Sequence, residues 1–128
     1  MDTSKRYRID EEKAYQRLLT SIPKKRYSYL CTKGRGGLSI LQRLAYDLDI
    51  KNIFLLKNNY AYASALLKHT LFVDDIECTS ETILSLSLQL DTAVLVQRQS
   101  SEQIATYVGH LHRGDEYIQF SWEGKDNG

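Results

Sequence analysis

Two consecutive carboxylates, Asp74 and Asp75, end a hydrophobic run, and the segment behind them carries Cys78, Thr79, Ser80, Glu81 and Thr82 before a new apolar stretch begins. Hydroxyl residues that open a helix bring backbone N–H groups and a partial positive charge together, which is what a phosphate needs. Two carboxylates beside such a site suit ribose hydroxyls as acceptors, or a Mg2+ ion carried by a polyphosphate. A solvated strand end followed by ordinary helix capping gives the same pattern. The segment Lys33–Gly37 is compatible with the phosphate reading. Gly34, Gly36 and Gly37 allow close backbone approach to an anion, and Arg35 can grip phosphate through its planar fork. A glycine-rich turn with an incidental arginine would look alike. A P-loop is excluded, because no glycine-rich run ends in Gly-Lys followed by Ser or Thr.

The elements that must position these groups follow from the hydrophobic pattern. Residues 9–20 carry early acids, with Ala14, Leu18 and Leu19 at helical spacing. That helix should stop before Ile22-Pro23, because the residue before a proline is pushed out of the α region. Lys25–Thr32 is short and aromatic-rich, as a strand would be. Leu38, Leu41, Leu44, Ala45 and Leu48 share one face of a second helix. Lys51–Leu56, Thr70–Asp74 and Ala93–Gln97 read as buried strands. Residues 58–69 permit a short helix and 79–90 read as a longer one. Tyr107–Leu111 and Glu116–Trp122 read as late strands. Alternating buried strands and helices predict an α/β parallel sheet flanked by helices. In open sheets of this kind the ligand sits beyond the carboxyl ends of the strands. That rule selects three segments: Lys33–Gly37, Asp74–Thr82 and Gln97-Arg98.

The composition narrows the class. The chain has 128 residues, enough for one domain, and 17 Lys plus Arg oppose 16 Asp plus Glu. A net charge of +1 gives none of the basic field a non-specific nucleic-acid binder shows. No apolar run reaches the length of a membrane span, and the polar start is unlike a signal peptide. Cys31 and Cys78 form no CxxC and read as reduced thiols of a cytoplasmic protein. His110 and His112 share a strand face and, lacking further ligands nearby, read as a surface pair. Trp122 reads as a core or interface aromatic.

Taken together, three segments resemble the type I phosphoribosyltransferases, in particular the purine members. VDDIECTSET (73–82) resembles their signature of a hydrophobic strand, two acids and a phosphate loop. YLCTKGRGGLSILQRLAYDLDI (29–50) is similar to the preceding pyrophosphate loop and its helix. YVGHLHRGDEYIQFSWE (107–123) is similar to the C-terminal hood that covers the base. The resemblance implies a single Rossmann-like α/β domain, with a core over about 26–106 and a hood over about 107–123. It also implies transfer of ribose 5-phosphate from phosphoribosyl pyrophosphate to a purine-type base, releasing pyrophosphate with Mg2+. By position, Asp74 and Asp75 would contact the ribose hydroxyls and the Mg2+-bound substrate. Thr79, Ser80, Glu81 and Thr82 would form the 5-phosphate loop, and Lys33, Gly34, Arg35 and Gly36 the pyrophosphate loop, where the peptide before Arg35 can be cis. Arg98 would meet the exocyclic oxygen of the base, Tyr117 would stack on it, and Ile118 and Glu123 would complete the hood. A homodimer is implied by the same analogy.

Four departures from that pattern bear on activity. Cys78 stands where purine members carry an Asp that acts as general acid or base, and a thiol is a poor substitute. Ser80 replaces a glycine of the phosphate loop. The segment NNYAYASALLKH is compressed relative to the mobile loop that usually covers the reacting centre. FSWE lacks the usual proline. They motivate a second expectation, a catalytically weakened or inactive homologue that senses a nucleotide or phosphoribosyl pyrophosphate, or serves as an interaction protein.

Overall fold

The computed structural model describes residues 6–56, 68–76, 90–99, 105–114 and 116–123. In chain order the described elements are β1 (Arg6–Tyr7), α1 (Glu11–Ser21), β2 (Tyr29–Thr32), α2 (Arg35–Asp47), β3 (Asn52–Leu55), β4 (Thr70–Ile76), β5 (Asp91–Arg98), β6 (Tyr107–His112) and β7 (Tyr117–Ile118), followed by a 3-10 turn at Ser121–Glu123. The helices expected over 58–69 and 79–90 lie almost wholly outside the described residues.

Five strands form one parallel sheet in the order β3-β2-β4-β5-β6. The chain steps from β2 outward to β3, then returns to the other side of β2 to build β4, β5 and β6. The order therefore reverses between β2 and β4, and a crevice opens there beyond their carboxyl ends. β1 and β7 pair separately as a parallel two-stranded ribbon, Arg6 opposite Tyr117 and Tyr7 opposite Ile118. This ribbon ties the amino-terminal strand to the segment expected to form the hood.

Alternation along the strands divides the core. Leu30, Leu71, Val73, Ala93 and Leu95 face α1 and α2 and pack against Tyr15, Leu18, Ile40, Leu41 and Leu44. Cys31 and Phe72 point the opposite way and meet Leu56 and Leu90. Cys31 is a free thiol that burial pushes up to about 12, so it stays protonated.

Local chemistry sets the helix ends. Asp10 caps α1 by accepting from the Lys13 N–H at 3.1 Å, and Ile22 ends the helix in extended geometry before Pro23. The two helices are tied by Arg43, whose guanidinium donates to both oxygens of Glu12 at 2.9 and 3.1 Å and stacks over the Tyr15 ring. The Tyr15 hydroxyl in turn donates to Asp47 at 2.6 Å. At the amino-terminal end of the sheet, Tyr27 bridges Asp91 and the Tyr107 hydroxyl.

Several boundaries differ from the sequence expectation. The strand expected at Lys25 begins only at Tyr29, because Lys25 adopts a left-handed φ of 68° in a turn. Glu116–Trp122 is not one strand: β7 spans two residues and a 3-10 turn follows. In α2 the inward face is Gly37, Ile40, Leu41 and Leu44, while Leu38 is 40% exposed. No helix among the described residues is long and apolar enough to cross a membrane.

Gly109 permits the close seating of α1 on β6. A Cβ there would stand 2.5 Å from the Ala14 carbonyl oxygen and 2.7 Å from that of Leu95, both backbone atoms that cannot swing away. Gly109→Ala is expected to destabilise the fold by about 1–3 kcal/mol, read as a lower urea midpoint at unchanged slope.

Candidate functional site

The site is built where α2 begins. The ladder between β2 and β4 runs from Tyr29–Cys31 against Thr70–Phe72, and the first turn of α2 occupies the gap beyond it. A Cβ on Gly37 would collide with the Thr32 hydroxyl and stand 2.8 Å from the Val73 carbonyl oxygen and 3.2 Å from the Asp74 Cα. Only a residue without a side chain lets the helix enter so deeply. Gly36 and Gly37, expected in the loop ahead of the helix, are part of its first turn.

This entry leaves the first-turn amides of α2 facing the crevice. Gly34 is the N-cap in extended geometry, with φ −134° and ψ −179°, and no side chain caps the helix. Uncapped amides with the partial positive charge of the helix end form a receptor for an anion. Lys33 is half-buried and Arg35 is exposed on the same turn. Thr32, fully buried at the end of β2, holds a hydroxyl without a hydrogen-bond partner among the described atoms. The described residues contain no cis peptide, so the bond before Arg35 is trans. The extended Gly34 lets the chain turn into α2 without the cost of a cis bond.

Asp74 and Asp75 belong to β4 itself, which continues to Ile76 and does not end before them. Strand alternation sends them to opposite sides of the sheet. Asp75 faces α2, its carboxyl carbon 2.9 Å from where a Gly36 Cβ would stand. Each carboxylate accepts the amide of the next residue: Asp75 N–H to Asp74 Oδ1 at 2.8 Å, and Ile76 N–H to Asp75 Oδ1 at 2.7 Å. Both are half-buried at the mouth of the crevice. Cys78, Thr79, Ser80, Glu81 and Thr82 lie outside the described residues.

The fit of Mg2+ can be judged from the donors. Two carboxylates provide the hard oxygen ligands the ion prefers, but the described residues contain no group of three metal-ligating side chains. Lying on opposite faces of β4, the two do not chelate an ion jointly, so the ion would have to bring most of its ligands with a polyphosphate. The same conclusion follows from charge. An anion on the α2 amides would lie beside Asp75, and a divalent cation held there would supply the neutralising charge.

The remaining predicted residues cluster in and under the hood. Arg98, at the end of β5, donates to the carbonyls of Glu116 at 3.1 Å and Gly114 at 3.5 Å, which anchors the β6–β7 loop. The Tyr117 hydroxyl donates to Glu123 at 2.6 Å, and Glu11 of α1 accepts both the amide and the hydroxyl of Ser121. Ile118 is only 3% exposed and packs into the core, so it supports the hood from beneath. Trp122 stacks on Phe120 with ring centroids 4.6 Å apart. His112 is buried against Glu116, contrary to the expected surface pair, while His110 is half-buried. Thr32 and His112 were not singled out for the site by their spacing, although a threonine closing a strand just before the glycines is the visible signal of the first.

A cleft of about 550 Å3 at the opposite end of the sheet is lined by Lys24, Lys25, Asp47, Asp49 and Lys51 among others. Cations and carboxylates mix along it, so it lacks the single sign of charge that a phosphorylated substrate requires.

No protein-family model and no curated protein matches the chain. Solved structures do. A purine phosphoribosyltransferase from Pyrococcus horikoshii Ot3 is similar at a TM-score of 0.70 and 17% identity, over 94% of this chain and 96% of that one. A xanthine-guanine-hypoxanthine phosphoribosyltransferase from Helicobacter pylori is similar at a TM-score of 0.70 and 20% identity, over 92% and 90% of the two chains. A hypothetical protein from Neisseria gonorrhoeae with bound ppGpp follows at 0.63 and 20%, over 91% and 86%. The chain thus has the phosphoribosyltransferase-type α/β fold.

The glycines separate packing from chemistry. Gly37→Ala meets backbone and should cost about 1–3 kcal/mol of stability. Gly36→Ala meets only the Asp75 side chain. It should leave the unfolding midpoint within about 1 kcal/mol of the parent, helped by helix propensity, while displacing that carboxylate. Urea denaturation of the two variants side by side checks the contrast.

Proposed function

We propose that the chain is a phosphoribosyltransferase that passes ribose 5-phosphate from phosphoribosyl pyrophosphate to a purine-type base and releases pyrophosphate. The observation that carries this reading is the crevice at the strand-order reversal. There the uncapped amides of α2 and the Asp75 carboxylate converge across Gly36. The likeness to purine phosphoribosyltransferases over nearly the whole chain supports it.

In the proposed reaction the bond between the ribose anomeric carbon and a pyrophosphate oxygen breaks as a base nitrogen bonds to that carbon. The transition state has oxocarbenium character, so orientation and charge stabilisation matter more than a protein nucleophile. The α2 amides, with Lys33, Gly34, Arg35 and Gly36, hold the departing pyrophosphate and stabilise its developing charge. Asp74 and Asp75 orient the ribose hydroxyls and hold Mg2+ through the substrate. When bound, Mg2+ supplies Lewis-acid neutralisation of the pyrophosphate oxygens. Thr79, Ser80, Glu81 and Thr82 form the 5-phosphate loop, and Cys78 takes the acid–base position next to the base. Tyr117 and Glu123 close over the base, and Arg98 holds the loop that carries them.

A second reading is a nucleotide sensor on the same fold, with little or no turnover. It is favoured by a thiol at Cys78 and by the similar Neisseria gonorrhoeae protein with bound ppGpp.

Incubation with phosphoribosyl pyrophosphate, Mg2+ and a panel of purine bases should release pyrophosphate, and Asp75→Asn should lower the rate at least about 100-fold. Cys78→Asp should raise it. No release with any base beside an active control, with tight GMP binding retained in calorimetry, would establish the sensor instead.

The homodimer has a specific candidate face. Ile53 and Leu55 on the open edge of β3 are each 53% exposed, and Tyr46 near the end of α2 is 81% exposed. Sedimentation should show a dimer at micromolar concentration, and Leu55→Lys should shift it to monomer.

A further inference from the structure

Thr32 carries a buried polar group for which the described fold supplies no partner. It ends β2 on the same face as Leu30, which turns its side chain toward α2. The residue has no exposed surface, and its hydroxyl lacks a hydrogen-bond partner among the described atoms. A hydroxyl held in that way destabilises the fold around it. Other buried polar side chains are provided for. Gln97 accepts from the Ala105 amide at 3.0 Å and donates to the Arg98 carbonyl at 3.2 Å, and Thr92 accepts from the Thr106 amide at 3.2 Å. Thr32 is also fixed in place: its carbonyl accepts the Leu56 N–H at 2.8 Å, and a β-branched side chain has few rotamers.

The hydroxyl lies at the floor of the crevice. The ladder between β2 and β4 ends at Cys31 and Phe72, so Thr32 is the first residue of β2 beyond it. A Cβ on Gly37 would collide with the hydroxyl, which puts the first turn of α2 directly over it. The amides of that turn have no side-chain cap. We propose that Thr32 is a further binding residue of the α2 anion receptor, its hydroxyl donating to a polyphosphate oxygen once that group seats on the uncapped amides. This rests on the phosphoribosyl reading for the identity of the anion, a pyrophosphate group, but not for the receptor itself.

The arrangement sets folding against binding. The turn that covers the hydroxyl carries Gly36 and Gly37, whose backbone freedom lets it yield to an entering oxygen. Amides and hydroxyl then donate to one anion from two directions, while Lys33 and Arg35 supply the longer-range attraction. A ligand oxygen thus makes a bond that no described protein group makes. The hydroxyl therefore weakens the free fold and strengthens the complex.

Two substitutions test this. Thr32→Val keeps the shape and removes the hydroxyl, whereas Thr32→Ser keeps the hydroxyl and removes a methyl group. Calorimetry follows the binding of inorganic pyrophosphate with Mg2+, and urea denaturation without pyrophosphate follows stability. Thr32→Val should raise the urea midpoint by about 0.3–1 M while weakening pyrophosphate binding about 10–100-fold. Thr32→Ser should lower the midpoint yet bind pyrophosphate within about 3-fold of the parent. A residue that only packs would not rank stability and affinity in opposite order. A midpoint that fails to rise in Thr32→Val would show the hydroxyl already paired and overturn the proposal. Unchanged affinity in that variant, or no pyrophosphate binding by the parent, would overturn it as well. The transferase reading falls separately. Pyrophosphate binding that depends on Thr32, without turnover of any base, would end that reading and leave Thr32 in the receptor; unchanged affinity in Thr32→Val beside active turnover would do the reverse.

Discussion

The insertion of the α2 amino terminus between the ends of β2 and β4 is the contact on which the rest depends. Parallel strands can neighbour each other while their successors run to opposite sides, and the crevice that results must be filled or solvated. Here it is filled by a helix turn made of glycine. Because Gly37 carries no side chain, the helix axis comes close enough for its amides to face the crevice and for its next turns to bury Ile40, Leu41 and Leu44. The same residue thus sets the packing of one face of the sheet and the position of an anion receptor.

That geometry assigns different duties to two acids adjacent in the chain. Asp75 looks toward α2 across Gly36, whereas the alternation of β4 turns Asp74 to the other side of the sheet. One strand end therefore presents a carboxylate to each side of the sheet. The C-terminal segment is held by distant pieces: Glu11 holds Ser121, Arg98 holds the loop carbonyls, and β1 pairs with β7. The match to the Pyrococcus structure spans nearly all of both chains.

Much of the scaffold was legible in the residues. The α1 helix, the strands around Lys51–Leu56 and Thr70–Asp74, and the parallel α/β class all follow from hydrophobic period and the proline at position 23. Local pattern failed where a distant partner decides. Tyr27 reads as a strand residue, yet it lies in a turn region held by Asp91 and Tyr107, 64 and 80 residues further on. Leu38 reads as core, yet the glycine face of α2 is the one that meets the sheet, which turns Leu38 to solvent. His112 reads as half of an exposed pair, yet burial beside Tyr7 and Glu116 makes it part of the hood.

The order of residues by itself determined the elements, the acid pair and the glycine loop, because these depend on side-chain type at short spacing. The composition also showed no net basic field. Only the tertiary structure decided that Gly36 and Asp75 would meet, that Ile118 would face inward, and that Arg98 and His112 would both bond to the loop ahead of β7. Those outcomes depend on strand order and register, which bring together residues too far apart in the chain for any local period to relate them.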